Sequence, residues 1–326
     1  MSIYLFTFIY IFNFISTELV NVGVSSENVQ ISPQIFYRLL RHKYEEDIKR
    51  DQVCDNTTCY AIADYLFQLG YIPYIYRAML LQDAKEAEFS GAILKTPTDK
   101  TLNALDSSKW EIDHQWLASG PYEGTFGNAI FWALDIPDDK KDLEMNILMI
   151  GLGGGTFSSH TAWKYPKVNL TIVELSPLIT KLAVDWFGIK DDERHRVIVN
   201  DGAEYLKEAL YRGERFDAIL LDATYSNRNN YITAPVKEFL DEDVIKNMGL
   251  LLGKDGILVS NVVFGELKEV DEAKGMQFII DLFGTEFSHT EIYTIYGPGF
   301  NYVLLARQKP MKNISSMIQL QKYGPY

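Results

Sequence analysis

The chain has 326 residues, of which 47% are apolar and 13% aromatic, and it carries a net charge of -13. That length suffices for one large domain or two modest ones with a core of ordinary size. An acidic surface repels the phosphate backbone, so no general nucleic-acid affinity is expected beyond what a local basic patch could supply, and no low-complexity tract or internal repeat marks a fibrous or solenoid protein.

The first stretch, Ile3 to Ile15, reads "IYLFTFIYIFNFI" and is almost wholly apolar. It is shorter than the ~20 residues a bilayer span needs, and Glu18 interrupts it. A short apolar run followed by small residues (Ser16, Thr17, Gly23, Ser25) fits a signal peptide over residues 1–23, although no Lys or Arg precedes it. An uncleaved anchor and a buried helix are the alternatives. The expected location is therefore the secreted space or the endoplasmic reticulum lumen, with membrane-anchored or cytoplasmic placement as the alternative. No stable transmembrane span is expected.

Residues 24–105 read as a smaller N-terminal region of helices and short strands. "SPQIFYRLLRHKYEEDIKR" starts with a Ser-Pro helix signal. A second helix is expected over Thr57–Leu69, stopping at Gly70. "YIYRAMLLQ" and "EFSGAILKT" read as strands, and the polar "TPTDKTLNALDSS" as a connection. Cys54 and Cys59 enclose a short loop that could close as a disulfide in an oxidising compartment; a zinc site lacks a second ligand pair nearby. Asn56-Thr57-Thr58 and Asn313-Ile314-Ser315 are glycosylation sequons. Asn169-Leu170-Thr171 also matches, but it heads an apolar strand and is expected to be buried and unmodified.

Residues 106–140 form a lead-in of one short strand and a helix carrying Phe126, Ile130, Phe131 and Leu134 on one face. From 141 to 310 strands and helices alternate. "NILMIG", "VNLTIVEL", "HRVIVND", "FDAILLDA" and "GILVSNVV" are strands, each followed by a helix. "TEIYTIY" and "NYVLLAR" have none between them and should form a hairpin. Continuous apolar strands that alternate with helices specify an α/β fold: a doubly wound, mostly parallel, seven-stranded Rossmann-like sheet ending in an antiparallel hairpin. Residues 311–326 are a polar tail.

The chemistry gathers at the strand ends. "ILMIGLGGGTFS" places Gly151, Gly153 and Gly155 after the first parallel strand. A P-loop needs Lys-Ser or Lys-Thr there, and Thr156-Phe157 follows instead. A dinucleotide loop needs G-x-G-x-x-G, and the third glycine is displaced. Glu174, Asp201 and Asp222 end the second, third and fourth strands. In a doubly wound sheet these ends face one ligand cleft. Glu174 can accept both hydrogens of a ribose diol, Asp201 can accept from an adenine amine, and Asp222 can attract a cationic group. Each acid could instead be a helix cap or a surface residue, and the glycine loop a plain turn.

"ILMIGLGGG", "IVELSP", "DWFGI", "VNDGAEYL" and "FDAILLDA", with "IDHQWLASGPYEG" upstream, resemble the class I S-adenosylmethionine (SAM)-dependent methyltransferases. Within that class the chain is most similar to spermidine synthases and to the C-terminal domain of the dual methyltransferase of elongation factor one-alpha. The resemblance covers roughly residues 110–308. It implies SAM as cofactor, with Gly151, Gly153 and Gly155 admitting its methionine end, Glu174 holding the ribose, and Asp201 with Gly202 lining the adenine. One departure matters. Spermidine synthases carry Asp-Ser-Ser-Asp after the fourth strand, where this chain has Asp222-Ala223-Thr224-Tyr225. A phenol, with an ordinary pKa of about 10, is a poor base for an amine near neutral pH.

The expectation is a spermidine-synthase-like methyltransferase with an unidentified small-molecule or protein acceptor, Asp222 and Tyr225 on the catalytic side and no metal. Aminopropyl transfer to a diamine is the alternative, and so is a secreted non-catalytic binding protein on the same scaffold. A homodimer is compatible with either. His114 reads as structural, Asp113 and Tyr122 could line the acceptor side or simply pack, and Ser226–Pro235 could form a lid.

Overall fold

The structure, a computed structural model, describes residues 28–56, 58–69, 72–82, 87–116, 121–137, 139–225, 229–265, 271–295 and 301–311. The apolar N-terminal stretch, the Asn313 sequon and nearly all of the polar tail lie outside the described residues, as does Thr57.

Helix α1 (Pro33–Lys43) starts where the Ser-Pro signal stands: Ser32 Oγ accepts from the Ile35 N–H at 3.3 Å. It buries Phe36, Leu39 and Leu40. A four-stranded antiparallel sheet follows, β1 (Ile48–Cys54), β2 (Cys59–Leu69), β3 (Ile72–Leu81) and β4 (Ala87–Ile93), in sequential order. The helix expected over Thr57–Leu69 is thus strand β2. Its residues alternate, with Tyr60, Ile62, Asp64 and Leu66 on one face and Ala61, Ala63, Tyr65 and Phe67 on the other. Partners on both sides supply ladder bonds that outweigh the helical bias of its alanines and leucines. Strand β1 shows no apolar alternation because it is a charged edge strand. Cys54 and Cys59 stand opposite each other across the β1–β2 turn and form a disulfide.

The lead-in region holds one isolated bridge, Leu94 to Ile112, rather than a strand, and then helix α2 (Pro121–Ala133). The large sheet comprises β5 (Asn146–Ile150), β6 (Asn169–Glu174), β7 (His195–Val199), β8 (Ala218–Leu221), β9 (Ile232–Ala234), β10 (Ile257–Phe264), β11 (His289–Ile295) and β12 (Asn301–Arg307). Its spatial order is β11-β12-β10-β8-β5-β6-β7, and the short β9, not foreseen from the sequence, pairs with β10 as an eighth strand. Strands β5 to β8 and β10 run parallel, whereas β11 and β12 form the closing antiparallel pair. The intervening helices are α3 (Thr156–Lys164), α4 (Pro177–Phe187), α5 (Gly202–Tyr211), α6 (Glu242–Leu252) and α7 (Glu272–Phe283).

Alternate residues of each strand serve two cores. Ile147 and Met149 of β5 pack with Phe126 and Ile130 of α2 and Phe157 of α3. Leu148 and Ile150 pack with α5, α6 and α7 through Leu206, Met248 and Phe283. A third core joins the two sheets: Tyr60, Ile62, Ile75 and Met79 of the small sheet meet Phe36 and Leu40 of α1 and Ile179, Leu182 and Phe187 of α4. Asn169 is exposed, contrary to expectation, because it lies at the first position of β6, where its amide donates to Asn146 Oδ1 at 2.9 Å.

Candidate functional site

The chain leaves β5 for β6 and β7 on one side and returns to β8 and β10 on the other, so strand order reverses between β5 and β8. Loops diverge there and leave a crevice at the carboxyl ends. The glycine loop lies in it. Gly151 has φ +97°, and a Cβ on it would stand 2.5 Å from the Asp222 carbonyl oxygen. Only glycine lets the β5 loop pass the end of β8 this closely. Gly153 and Gly155 also have positive φ, and Gly155 is the N-cap of α3.

Glu174 ends β6 almost fully buried, at 6% exposure. Its Oε2 accepts from the Leu152 N–H at 2.9 Å and its Oε1 from the Ser176 N–H at 2.8 Å. One carboxylate thereby joins the glycine loop to the loop after β6. Burial raises its pKa, its backbone hydrogen bonds oppose that rise, and the charge of Asp222 adds to it. A carboxylate offers about four acceptor sites, and the backbone of Leu152, Ser176 and Leu175 engages three of them, so acceptance from a diol draws on the remaining one or replaces a backbone partner. Tyr60 of the small sheet feels this carboxylate: its hydroxyl is pushed up to about 12, first by burial and then by the charge of Glu174.

Asp201 caps α5, its Oδ1 accepting from the Ala203 N–H at 2.8 Å and the Glu204 N–H at 3.2 Å. Its side chain is exposed at the same end of the sheet. The cap engages one oxygen, so capping and an adenine contact are compatible. A Cβ on Gly202 would fall 2.7 Å from Ile150 Cγ2, which explains the glycine on packing alone.

Asp222 is half-buried, and its Oδ1 accepts from Asn261 Nδ2 at 3.0 Å. Asn261 is itself buried on β10, with Asn301 Nδ2 of β12 3.5 Å from its Oδ1. Tyr225 is anchored to its own loop: its N–H donates to the Thr233 carbonyl at 3.1 Å, and its hydroxyl oxygen accepts from the Lys237 N–H at 3.2 Å. That engagement holds the ring in its own loop.

His114 packs against α3, its carbonyl 2.9 Å from His160 Nδ1, and burial lowers the pKa of both rings. Asp113 Oδ1 accepts from the Gln115 N–H at 3.2 Å. The side chain of Tyr122 and residues 226–228 of the expected lid lie outside the described residues. Among the described residues, no His, Cys, Asp and Glu group is arranged to hold a metal ion, and no helix is long and apolar enough to cross a membrane.

Three residues at the site are not evident from the sequence. Ser90 Oγ accepts from the Gly154 N–H at 3.0 Å, and Tyr60 stands in the field of Glu174; neither carries a sequence cue. Asn261 has one, an amide inside the apolar run "GILVSNVV".

No protein-family model matches the chain. Over 131 residues it is 30% identical to the eEF1A lysine and N-terminal methyltransferase homolog of Drosophila pseudoobscura pseudoobscura, a match that covers 40% of this chain and 20% of that protein. Over 115 residues it is 34% identical to the polyamine aminopropyltransferase of Vibrio vulnificus, covering 35% of this chain and 36% of that protein. The chain thus spans only about a fifth to a third of the length of these curated relatives. Among solved structures, human methyltransferase-like protein 13 in complex with S-adenosylhomocysteine (SAH) superposes with a TM-score of 0.51 at 20% identity, over 62% of this chain and 87% of that one. A probable spermidine synthase from Corynebacterium glutamicum superposes with a TM-score of 0.56 at 16% identity, over 85% of this chain and 87% of that one. The fold is shared with these two solved structures, and parts of the chain are similar in sequence to a protein named a methyltransferase homolog and to one named a polyamine aminopropyltransferase.

Proposed function

We propose that this chain is a spermidine-synthase-like, SAM-dependent methyltransferase. The observation that carries the reading is Glu174, a buried carboxylate tied to the glycine loop at the point where strand order reverses. The methyltransferase relative and the SAH-bound neighbour support it. Bound SAM would supply an already activated methyl group. Glu174 would hold its ribose hydroxyls, the Gly151–Gly155 loop would admit its methionine end without side chains in the way, and Asp201 with Gly202 would border the adenine. Asp222, steadied by Asn261, would face the cationic side of the cofactor or the acceptor. With the donor activated, the remaining task is to align an acceptor, and positioning supplies much of such a rate.

Aminopropyl transfer is the second reading, supported by the Vibrio relative. Tyr225, at the place of the family's second acid and with its hydroxyl already engaged, counts against it. We also propose that the chain enters the secretory path, on the strength of the apolar stretch Ile3–Ile15, the Cys54–Cys59 bridge and the exposed Asn56. Calorimetry with SAM, decarboxylated SAM and SAH tests the enzyme reading. Preference for SAM and SAH supports methyl transfer, preference for the decarboxylated form supports the polyamine reading, and absence of binding to all three leaves a non-catalytic scaffold.

A further inference from the structure

The small sheet touches the glycine loop directly. Ser90 on β4 accepts from the Gly154 N–H at 3.0 Å, and the carbonyl of the next residue, Gly91, accepts from Thr156 Oγ1 at 3.0 Å. A Cβ on Gly153 would stand 3.4 Å from Ser90 Oγ, and one on Gly154 would stand 3.0 Å from it. Strand β4 therefore lies flush over residues 153–156, and a short hydroxyl side chain is what the gap accommodates.

The placement of β4 is itself held. Strand β3 pairs with it, Met79 opposite Ser90. Arg77 of β3 is buried, donates to both oxygens of Asp64 at 2.7 and 2.9 Å, and reaches the Trp186 carbonyl of α4 at 3.0 Å. Its guanidinium also lies 5.1 Å over the Trp186 ring. From α4 the contacts run through Arg77 and β3 to β4, and from Ser90 to the loop. A glycine-rich loop has many accessible conformations, and fixing one before ligand arrival lowers the entropic cost of binding.

We infer that Ser90 is a positioning residue for the cofactor loop, so that the N-terminal sheet takes part in cofactor binding without itself touching the reacting atoms. The inference rests on the SAM-site reading given above. It applies to the amino-acid end of the ligand, because Gly154 belongs to the loop assigned to that end.

The test compares the unaltered protein with Ser90→Ala, using SAH and 5′-methylthioadenosine as ligands; the second lacks the amino-acid end. Removing one neutral hydrogen bond should weaken SAH binding by about two- to tenfold and leave methylthioadenosine binding unchanged. The Gly154 amide, followed by NMR on glycine-labelled protein, should exchange faster in the variant without ligand. Equal SAH affinity in the two proteins, or equal losses for both ligands, overturns the role of Ser90 alone. If the unaltered protein binds neither ligand, the SAM-site reading falls and the inference with it.

Discussion

A carboxylate that accepts from two separate loops makes local order depend on its ionisation. Glu174 is raised above the ordinary carboxylate value by burial, with Asp222 adding to the rise. The folded state therefore keeps this proton to a higher pH than the unfolded state does. By itself the group favours folding most in acid, and that contribution is lost as pH rises from the usual value through the raised one. Ribose binding asks for the opposite, since only the ionised form accepts two hydroxyl hydrogens. SAH affinity should fall as pH drops toward the raised pKa. Glu174→Gln should weaken SAH by about 10- to 100-fold, the equivalent of one charge-assisted hydrogen bond, and should flatten that pH profile. Calorimetric titration upward from the ordinary carboxylate range checks both; an unchanged affinity would remove Glu174 from the site.

At the scale of elements, the crevice depends on how closely loops can pass one another. Gly151→Ala places a methyl group against the Asp222 carbonyl at a positive φ. It should cost on the order of 1–3 kcal/mol in urea unfolding and abolish SAH binding, because β5 and β8 are forced apart at their ends. The docking of the small sheet has a different weak point. Asp64 is buried beside two guanidinium groups, Arg77 at 2.7 Å and Arg50 at 2.8 Å, and also accepts from Ser107 Oγ at 2.6 Å. Asp64→Ala would leave both cations in the interior without their shared counter-charge. Losing one partner of a buried ion pair costs about 3–5 kcal/mol. The loss should show as faster proteolysis and hydrogen exchange in β1 to β4, ahead of the large sheet. Uniform protection across both sheets would contradict the role of Asp64 in this docking.

For the whole molecule, helix α4 is the shared part: its inner residues fill the third core, between the sheets. The Cys54–Cys59 bridge closes only the β1–β2 turn, so it constrains little of the unfolded chain, about 2 kcal/mol or less by loop entropy. Its value lies in reporting the compartment, since thiols oxidise and stay oxidised along the secretory path. Expression in animal cells should yield a chain that lacks its first ~20 residues, carries the bridge, and bears a glycan at the exposed Asn56. Peptide mapping with intact mass reads all three features. A product with Met1 retained, free thiols and an unmodified Asn56 would overturn the secretory proposal while leaving the cofactor site untouched.

The large sheet was legible in the sequence because each parallel strand is buried on both faces and must be continuously apolar, as in "NILMIG" and "FDAILLDA". The closing hairpin was legible from the missing helix between β11 and β12. Strand ends were legible too, which assigns Gly151, Glu174, Asp201 and Asp222 to one edge of the sheet. Local pattern failed where pairing made the choice. Strand β2 has a sequence that suits a helix, and the first residues of β1, Ile48–Arg50, stand at the end of the stretch that opens on the Ser-Pro helix signal; each becomes a strand only because a neighbour completes its hydrogen bonds. It failed again where a contact spans distant parts of the chain. Ser90 meets Gly154, and Asn261 meets Asp222, only after two sheets have docked and five parallel strands have lined up. Periodicity acts over a few residues and determines which face is buried. Which buried or half-buried polar group finds which partner is decided by tertiary packing, because an unpaired polar group in the interior is costly and only the assembled fold brings its partner within reach.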